Sequence, residues 1–247
     1  MSESQDPESV ESSPEVTRRS VLRGTAGLTV GAVAFLASGA EATAAPGPAD
    51  PAGRLAAAAK VAADQDPLLR RKQLRAFELL DVDGDGFVTK ADTVSLARRF
   101  AALTEGGADS PTTGQLLAAI DRMWDALVTE PKWVLDTGRL SSEDFVIVTA
   151  NSVAVTPDRT LQYIAMITNL TFTMADADRD GVIQREDSIR IGMGAAGETR
   201  GEAEAGWRAL ATADPERATY GEVLLTVTDY VTGVDPASPH NLALGRL

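Results

Sequence analysis

DVDGDGFVTKAD occupies residues 81–92, and DADRDGVIQRED at residues 176–187 repeats its pattern. Each stretch has aspartates at positions 1, 3, 5 and 12, a glycine at position 6 and a β-branched aliphatic residue at position 8. One acidic turn on a protein surface could show part of this pattern by chance. Two complete copies indicate a shared chemical requirement.

The spacing of the carboxylates suits a hard cation such as Ca²⁺, which takes about six to eight oxygen ligands. In a tight loop, residues 1, 3 and 5 point inward and can surround one ion. Position 6 must turn sharply, and glycine tolerates the positive φ that this turn needs. The pattern is typical of the EF-hand calcium loop.

Each copy therefore predicts one metal site, with ligands at positions 1, 3, 5, 7, 9 and 12. Position 7 contributes its main-chain carbonyl, and position 9 contributes an oxygen directly or through water. In loop 1 (residues 81–92) the predicted ligands are Asp81, Asp83, Asp85, Phe87, Thr89 and Asp92. In loop 3 (residues 176–187) they are Asp176, Asp178, Asp180, Val182, Gln184 and Asp187.

Position 12 of both loops is aspartate, whereas the usual residue there is glutamate. Aspartate is one methylene shorter, so its reach to the ion as a two-oxygen ligand is reduced. We expect two bound Ca²⁺ ions, held more weakly than in a glutamate loop, with Mg²⁺ as a competitor.

Helical patterns flank both loops. A helix is predicted over residues 67–80, with Phe77 four residues before loop 1, and Phe172 holds the same place before loop 3. Exit helices are predicted from Lys90 to about residue 103 and from Asp187 to about Gly192, where a glycine-rich run should end the second of them.

Two further twelve-residue windows keep the residues expected at positions 8 and 12 of the loop pattern but lack the ligands at positions 1, 3 and 5. In loop 2 (residues 133–144) positions 1, 3 and 5 are Trp133, Leu135 and Thr137, while Gly138, Leu140 and Asp144 keep positions 6, 8 and 12. In loop 4 (residues 211–222) positions 1, 3 and 5 are Ala211, Ala213 and Pro215, while Ala218 and Glu222 keep positions 8 and 12. Neither window is expected to bind metal.

The predicted fold class is all-α, with four helix–loop–helix units, called hands, arranged in two pairs. Hands 1 and 3 bind metal, and hands 2 and 4 are degenerate. A single hand leaves an apolar face exposed, so hands pair through short strands around position 8. We expect residues 87–89 to pair with residues 139–141, and residues 182–184 to pair with residues 217–219.

The start of the chain resembles a twin-arginine export signal. Arg18, Arg19, Val21 and Leu22 precede a weakly apolar run, and a small-residue cleavage site ends at Ala44. The alternatives are a buried helix and an uncleaved anchor. The predicted organisation is a signal at residues 1–44, a Pro/Ala-rich linker at 45–66, a first hand pair at 67–155, and a second pair with a tail at 156–247. Use of the signal predicts an extracytoplasmic or secreted protein, and failure to use it leaves the protein cytoplasmic.

Composition narrows the class of function. The 247 residues include no cysteine and one histidine, and the formal net charge is −13. A disulfide framework and a thiolate metal site are thereby excluded. The acidic balance argues against nucleic acid as a partner. The single histidine lies in a proline-flanked tail, and no nucleophile motif or phosphate loop is present, so no enzyme is indicated.

The chain combines four hands, tryptophans in helices, and hands without ligands (silent hands) beside intact ones. This combination resembles the sarcoplasmic calcium-binding proteins and their bacterial relatives, the calerythrin-like proteins. The tail DPASPHNLALG at residues 235–245 is similar to the ending common in that family. The resemblance covers about residues 67–245. It implies a compact four-hand globule that binds Ca²⁺, with Mg²⁺ as a second ion, and that has no enzymatic activity.

The leading hypothesis is a calcium buffer or sensor, expected as a monomer, with calcium ions as its only identified partners. The alternative is an extracellular dockerin-like or adhesion module in which calcium is structural. Dockerins also use loops with aspartate at position 12, but they lack a full entering helix, and their two loops lie close together in sequence.

Overall fold

The computed structural model describes residues 51–125, 138–244 and 247. The predicted export signal and positions 1, 3 and 5 of loop 2 lie outside these residues. In chain order the helices and strands are α1 (Pro51–Asp64), α2 (Pro67–Leu80), β1 (Phe87–Thr89), α3 (Lys90–Ala102), α4 (Pro111–Trp124), β2 (Arg139–Ser141), α5 (Ser142–Val155), α6 (Pro157–Ala175), β3 (Val182–Gln184), α7 (Arg185–Ala196), α8 (Arg200–Leu210), β4 (Arg217–Thr219) and α9 (Tyr220–Thr232), followed by a 3₁₀ helix (Pro239–Leu242).

The four hands pair as the sequence predicts. Strand β1 runs antiparallel to β2, with Val88 opposite Leu140, and β3 runs antiparallel to β4, with Ile183 opposite Ala218. These four residues occupy position 8 of the four loops, and all are buried. Position 8 stays apolar in hands 2 and 4 because it fills the centre of each pair.

Three of the four exit helices begin with a capping box, in which positions 9 and 12 of the loop bond each other's backbone. The pairs are Thr89 with Asp92, Ser141 with Asp144, and Thr219 with Glu222. Helix α7 differs, because Gln184 at its start makes no side-chain cap. Loop 3 therefore lacks the local bond that fixes position 12 in the other units.

The two pairs share one hydrophobic core. Within it, the ring of Phe77 meets that of Phe145 edge to face at 5.8 Å, and Phe172 meets Tyr220 at 5.6 Å. Phe77 and Phe172 are the residues that stand four before loops 1 and 3. Both entering helices are therefore anchored to the hand that partners them.

A buried lysine ties the first hand to the last. Lys72 of α2 has no exposed surface, and its ammonium donates to the carbonyls of Asp229 (3.3 Å) and Gly233 (2.9 Å) at the end of α9. The hydroxyl of Tyr230 donates to the Lys72 carbonyl at 3.2 Å. Burial lowers the pKa of Lys72, and the charge of Asp229 acts in the opposite direction.

The structure corrects the expected linker at residues 45–66. From Pro51 onward this segment is helix α1, and Ala58 and Ala62 are buried against Val146 and Ala150 of α5. Alanine has the highest helix propensity, and its small side chain lets two helices approach closely. An alanine-rich segment that reads as a spacer is therefore a packed helix.

The structure also corrects the end of the third exit helix. Helix α7 does not stop at Gly192 but continues to Ala196, and it ends at Gly197, whose φ is +72°. Gly192 and Gly194 lie within the helix, where a side chain would collide with Glu198 and Leu103 respectively. These glycines serve close packing, which the sequence pattern alone does not distinguish from a helix break.

None of the described helices combines the length and apolar character needed to cross a bilayer.

Candidate metal centre

Loop 1 gathers the carboxylates predicted at its first three ligand positions. One oxygen each from Asp81, Asp83 and Asp85 lie within 4.8 Å of one another. Asp81 is half-buried, and the other two are exposed to solvent. Three carboxylates at this separation repel one another, and a divalent cation would relieve the repulsion.

The backbone of loop 1 is wrapped around Asp81. Its Oδ1 accepts the amide of Asp85 at 3.1 Å, and its Oδ2 accepts the amide of Gly86 at 3.0 Å. Gly86 has φ = +86°, a conformation that residues with a side chain rarely adopt. The carboxylate of Asp85 in turn accepts the amide of Phe87 at 2.9 Å. The turn at position 6 thus directs the chain from the acidic cluster into β1.

Loop 3 repeats this arrangement bond for bond. Asp176 accepts the amides of Asp180 (3.2 Å) and Gly181 (3.0 Å), and Asp180 accepts the amide of Val182 at 3.1 Å. One oxygen each from Asp176, Asp178 and Asp180 lie within 4.8 Å of one another. Two loops far apart in sequence have therefore folded to the same local geometry.

Position 12 distinguishes the two loops. In loop 1, Oδ2 of Asp92 accepts the amide (2.9 Å) and the hydroxyl (2.6 Å) of Thr89, and the residue is buried. In loop 3, Oδ1 of Asp187 accepts from the guanidinium of Arg190 at 2.9 Å, and the side chain is partly exposed. The fourth carboxylate is held beside its own loop in hand 1 and is paired with a cation in hand 3.

Positions 7 and 9 lie in the strands. Phe87 and Val182 are the first residues of β1 and β3, and Thr89 and Gln184 are the last. The hydroxyl of Thr89 belongs to the capping box, whereas Gln184 makes no such bond. Their roles as metal ligands stay predictions of the sequence.

Loop 4 is closed by its own glutamate. Oε1 of Glu222 accepts the amide of Ala213 at 3.0 Å, and Oε2 accepts the amide of Thr219 at 2.9 Å. Partial burial raises the pKa of Glu222, but hydrogen bonds from Thr219, Ala213 and Thr212 outweigh it and lower the pKa overall. The position 12 carboxylate thus bonds the loop backbone, which sequence reasoning missed.

The donor set fits a hard divalent cation. Each cluster offers carboxylate oxygens without an imidazole or a thiolate, which is the ligand chemistry of Ca²⁺ and Mg²⁺. Burial raises the pKa of Asp81, and the nearby charge of Asp85 adds to the increase, while the backbone amides oppose it. An ion in this loop would favour the ionised form of Asp81 that its predicted role as a ligand requires.

The EF-hand family model matches residues 74–96 and 169–187. Both acidic clusters lie in EF-hand segments. Each matched segment contains the end of the entering helix and the loop aspartates, so the geometry and the family match coincide. Calcium binding is the property associated with an EF hand of this acidic type. Among curated proteins, none matches this chain.

Solved structures with the same fold include those of calcium-binding proteins. A calcium-binding protein from Streptomyces coelicolor, described in calcium-mediated regulation, is 22% identical with a TM-score of 0.56 and aligns over 68% of this chain and 99% of its own. The calcium-loaded coelenterazine-binding protein of Renilla muelleri is 19% identical (TM-score 0.52; 72% and 96%). The Ca²⁺-regulated photoprotein mitrocomin of Mitrocoma cellularia is 16% identical (TM-score 0.57; 73% and 92%). At these identities the likeness concerns the fold.

The glycine at position 6 gives a direct test of the loop geometry. Gly86→Ala is expected to weaken calcium binding by on the order of 1 kcal/mol, because alanine resists positive φ. Calorimetric titration measures this loss. Gly114→Ala is the matched control, because Gly114 is an exposed glycine of α4 where an added methyl group meets no other atom within 4 Å. Equal losses in the two variants would contradict a special role for position 6.

Proposed function

We propose that this protein is a non-enzymatic calcium-binding protein that takes one ion in loop 1 and one in loop 3. The proposal depends chiefly on one observation. Two groups of three aspartates are closed by the same set of backbone hydrogen bonds, each between an entering and an exit helix. Two matching cages of this kind are hard to explain by surface solubility, which would place acidic residues apart.

The silent hands take a structural role in this proposal. Loop 4 satisfies its own backbone through Glu222, and both β2 and β4 supply a buried position 8 residue to the neighbouring loop. Each metal loop would then be supported by a partner that needs no ion. Ordering of a metal loop on this fixed support couples calcium binding to folding stability.

A dockerin-like module is not favoured. Loop 1 follows a helix of 14 residues, and loop 3 follows a helix of 19 residues. Both entering helices are anchored in the shared core by Phe77 and Phe172. Complete entering helices fit a four-hand globule better than a module that lacks them.

The proposal is tested by calorimetric titration of the full chain with Ca²⁺, with and without about millimolar Mg²⁺. Two bound ions per chain are expected, and Mg²⁺ is expected to compete because aspartate at position 12 limits the ligand reach. No heat of binding and no change in thermal stability with calcium would overturn the proposal.

The affinity would separate the biological roles. Affinity near or below about micromolar fits a buffer or a sensor, and affinity near millimolar fits an extracellular site that stays filled. Export through the twin-arginine-like signal belongs to this second case. Support for export comes from Arg18 and Arg19 ahead of an apolar run that ends in a small-residue cleavage site.

A further inference from the structure

Arg190 of α7 holds two groups that belong to different hands. Its Nη2 donates to Oδ1 of Asp187 at 2.9 Å, and its Nη1 donates to the carbonyl of Leu103. Asp187 is position 12 of loop 3, and Leu103 is the residue at the end of α3. One guanidinium therefore connects a predicted ligand of the second metal site to the exit helix of the first.

The two exit helices are in direct contact at this point. A side-chain carbon placed on Gly194 of α7 would lie 2.6 Å from Cδ1 of Leu103, so the Leu103 side chain packs directly over Gly194. Gly194 is exposed and Leu103 is half-buried, so this contact joins the two helices at the edge of their interface.

The connection that follows α3 also borders loop 3. A cleft of about 600 Å³ separates the α3–α4 connection, with Thr104 and Glu105, from Asp176 and Arg179 at the start of loop 3. Contact at Leu103 and this cleft at loop 3 are independent observations. The cleft places the end of hand 1 beside loop 3, and the contact at Leu103 places it against α7, the helix that follows that loop.

Arg190 bonds the position 12 carboxylate, which in the other hands is bonded by the position 9 residue of a capping box. In the other three hands, the residue at position 9 bonds the carboxylate at position 12, but Gln184 makes no such bond. Asp187 is instead bonded to Arg190 and is partly exposed. Metal in loop 3 must compete with Arg190 for this carboxylate, whereas Asp92 is already fixed beside loop 1.

We propose that Arg190 links the two calcium loops, because it shares one guanidinium between Asp187 of loop 3 and the terminal carbonyl of α3. This inference rests on the proposed function. When Asp187 turns toward an ion, Arg190 keeps only the carbonyl of Leu103, and a cation at a helix C-terminus stabilises that helix. Helix α3 starts inside loop 1, where it carries Asp92. Filling loop 3 thereby favours the ordered form of loop 1, and the effect is reciprocal.

The test compares calcium affinity at loop 3 when loop 1 is intact and when it is disabled by Asp81→Ala. In the otherwise unchanged chain, Asp81→Ala is expected to weaken loop 3 by about threefold, because the two loops assist each other. In Arg190→Gln, loop 3 is expected to bind about three- to fivefold more tightly, because Asp187 is free, and Asp81→Ala is expected to have no further effect on loop 3.

Two variants separate the geometry of Arg190 from its charge. Arg190→Lys keeps the charge but cannot bond both groups at once, so the link is expected to be lost, and loop 3 is expected to bind calcium about as weakly as it does in Asp81→Ala. Arg200→Gln removes an equal charge beside Glu186 and Glu204, without contact to Asp187 or Leu103. It is expected to preserve the link.

Amide signals give a readout independent of affinity. In Asp81→Ala, calcium added to loop 3 is expected to shift the NMR signals of residues 90–92 at the start of α3, which lie at the far end of that helix from Leu103. Arg190→Gln should abolish these shifts. Unchanged shifts in Arg190→Gln, or an equal loss in Arg200→Gln, would overturn the link. Calcium binding with independent loops would refute the link alone, whereas no binding by the unchanged chain would refute the proposed function.

Discussion

Asp81→Ala is expected to reduce the calcium stoichiometry from two ions per chain to one. Asp81 supplies position 1 of loop 1, and its two carboxylate oxygens also hold the amides of Asp85 and Gly86 in the turn. Alanine removes a predicted ligand and opens the loop that positions the others. Loop 3 has its own copy of every bond, so its ion should remain.

Calorimetric titration measures this stoichiometry directly. Asp214→Ala is a matched control, because Asp214 is an exposed aspartate of silent loop 4 and its loss changes the net charge by the same amount. That variant should still bind two ions. If Asp81→Ala binds two ions as well, the assignment of the first site to loop 1 is wrong.

The second large effect is expected from the interior and not from a metal loop. Lys72→Ala is expected to lower the free energy of unfolding by about 3 kcal/mol. The substitution leaves a space where the buried side chain lay, and it leaves the carbonyls of Asp229 and Gly233 without this donor. It also removes the ammonium that lies 5.4 Å from the centre of the Tyr230 ring.

Urea unfolding of the metal-free protein measures the loss without a contribution from calcium. Lys60→Ala controls for lysine chemistry, because Lys60 is exposed and pairs with Asp64 within α1. An exposed pair of this kind contributes at most about 1 kcal/mol. Similar losses for the two lysines would contradict a special role for the buried one.

The positions of both acidic loops, loop 1 and loop 3, could be predicted from the sequence because their pattern is local. Ligand spacing, the glycine at position 6 and the apolar position 8 all lie within twelve residues. The register of β1 with β2 and of β3 with β4 followed from aligning Val88 with Leu140 and Ile183 with Ala218. The same alignment identified loop 4 as a frame without ligands.

What could not be predicted depends on contacts between distant segments. Arg71 and Lys72 are adjacent cations on α2, yet the first is exposed and the second is fully buried. Only the approach of α9 provides the carbonyls that make burial of Lys72 favourable. Arg190 offered a partial signal, because a charge three residues after Asp187 faces it on a helix. Its bond to Leu103 had no counterpart in the local sequence.

The closure of loop 4 by Glu222 makes the second pair of hands asymmetric in a mechanical sense. The carboxylate of Glu222 bonds the backbone of loop 4, so loop 4 is held in one conformation without an ion. Loop 3 lacks such a bond from its position 12 carboxylate, so an ion can change the conformation of this loop. Displacement in the second pair is therefore expected on one side only. This displacement is expected to pass along α7 to the first pair of hands, because loop 4 does not share in it.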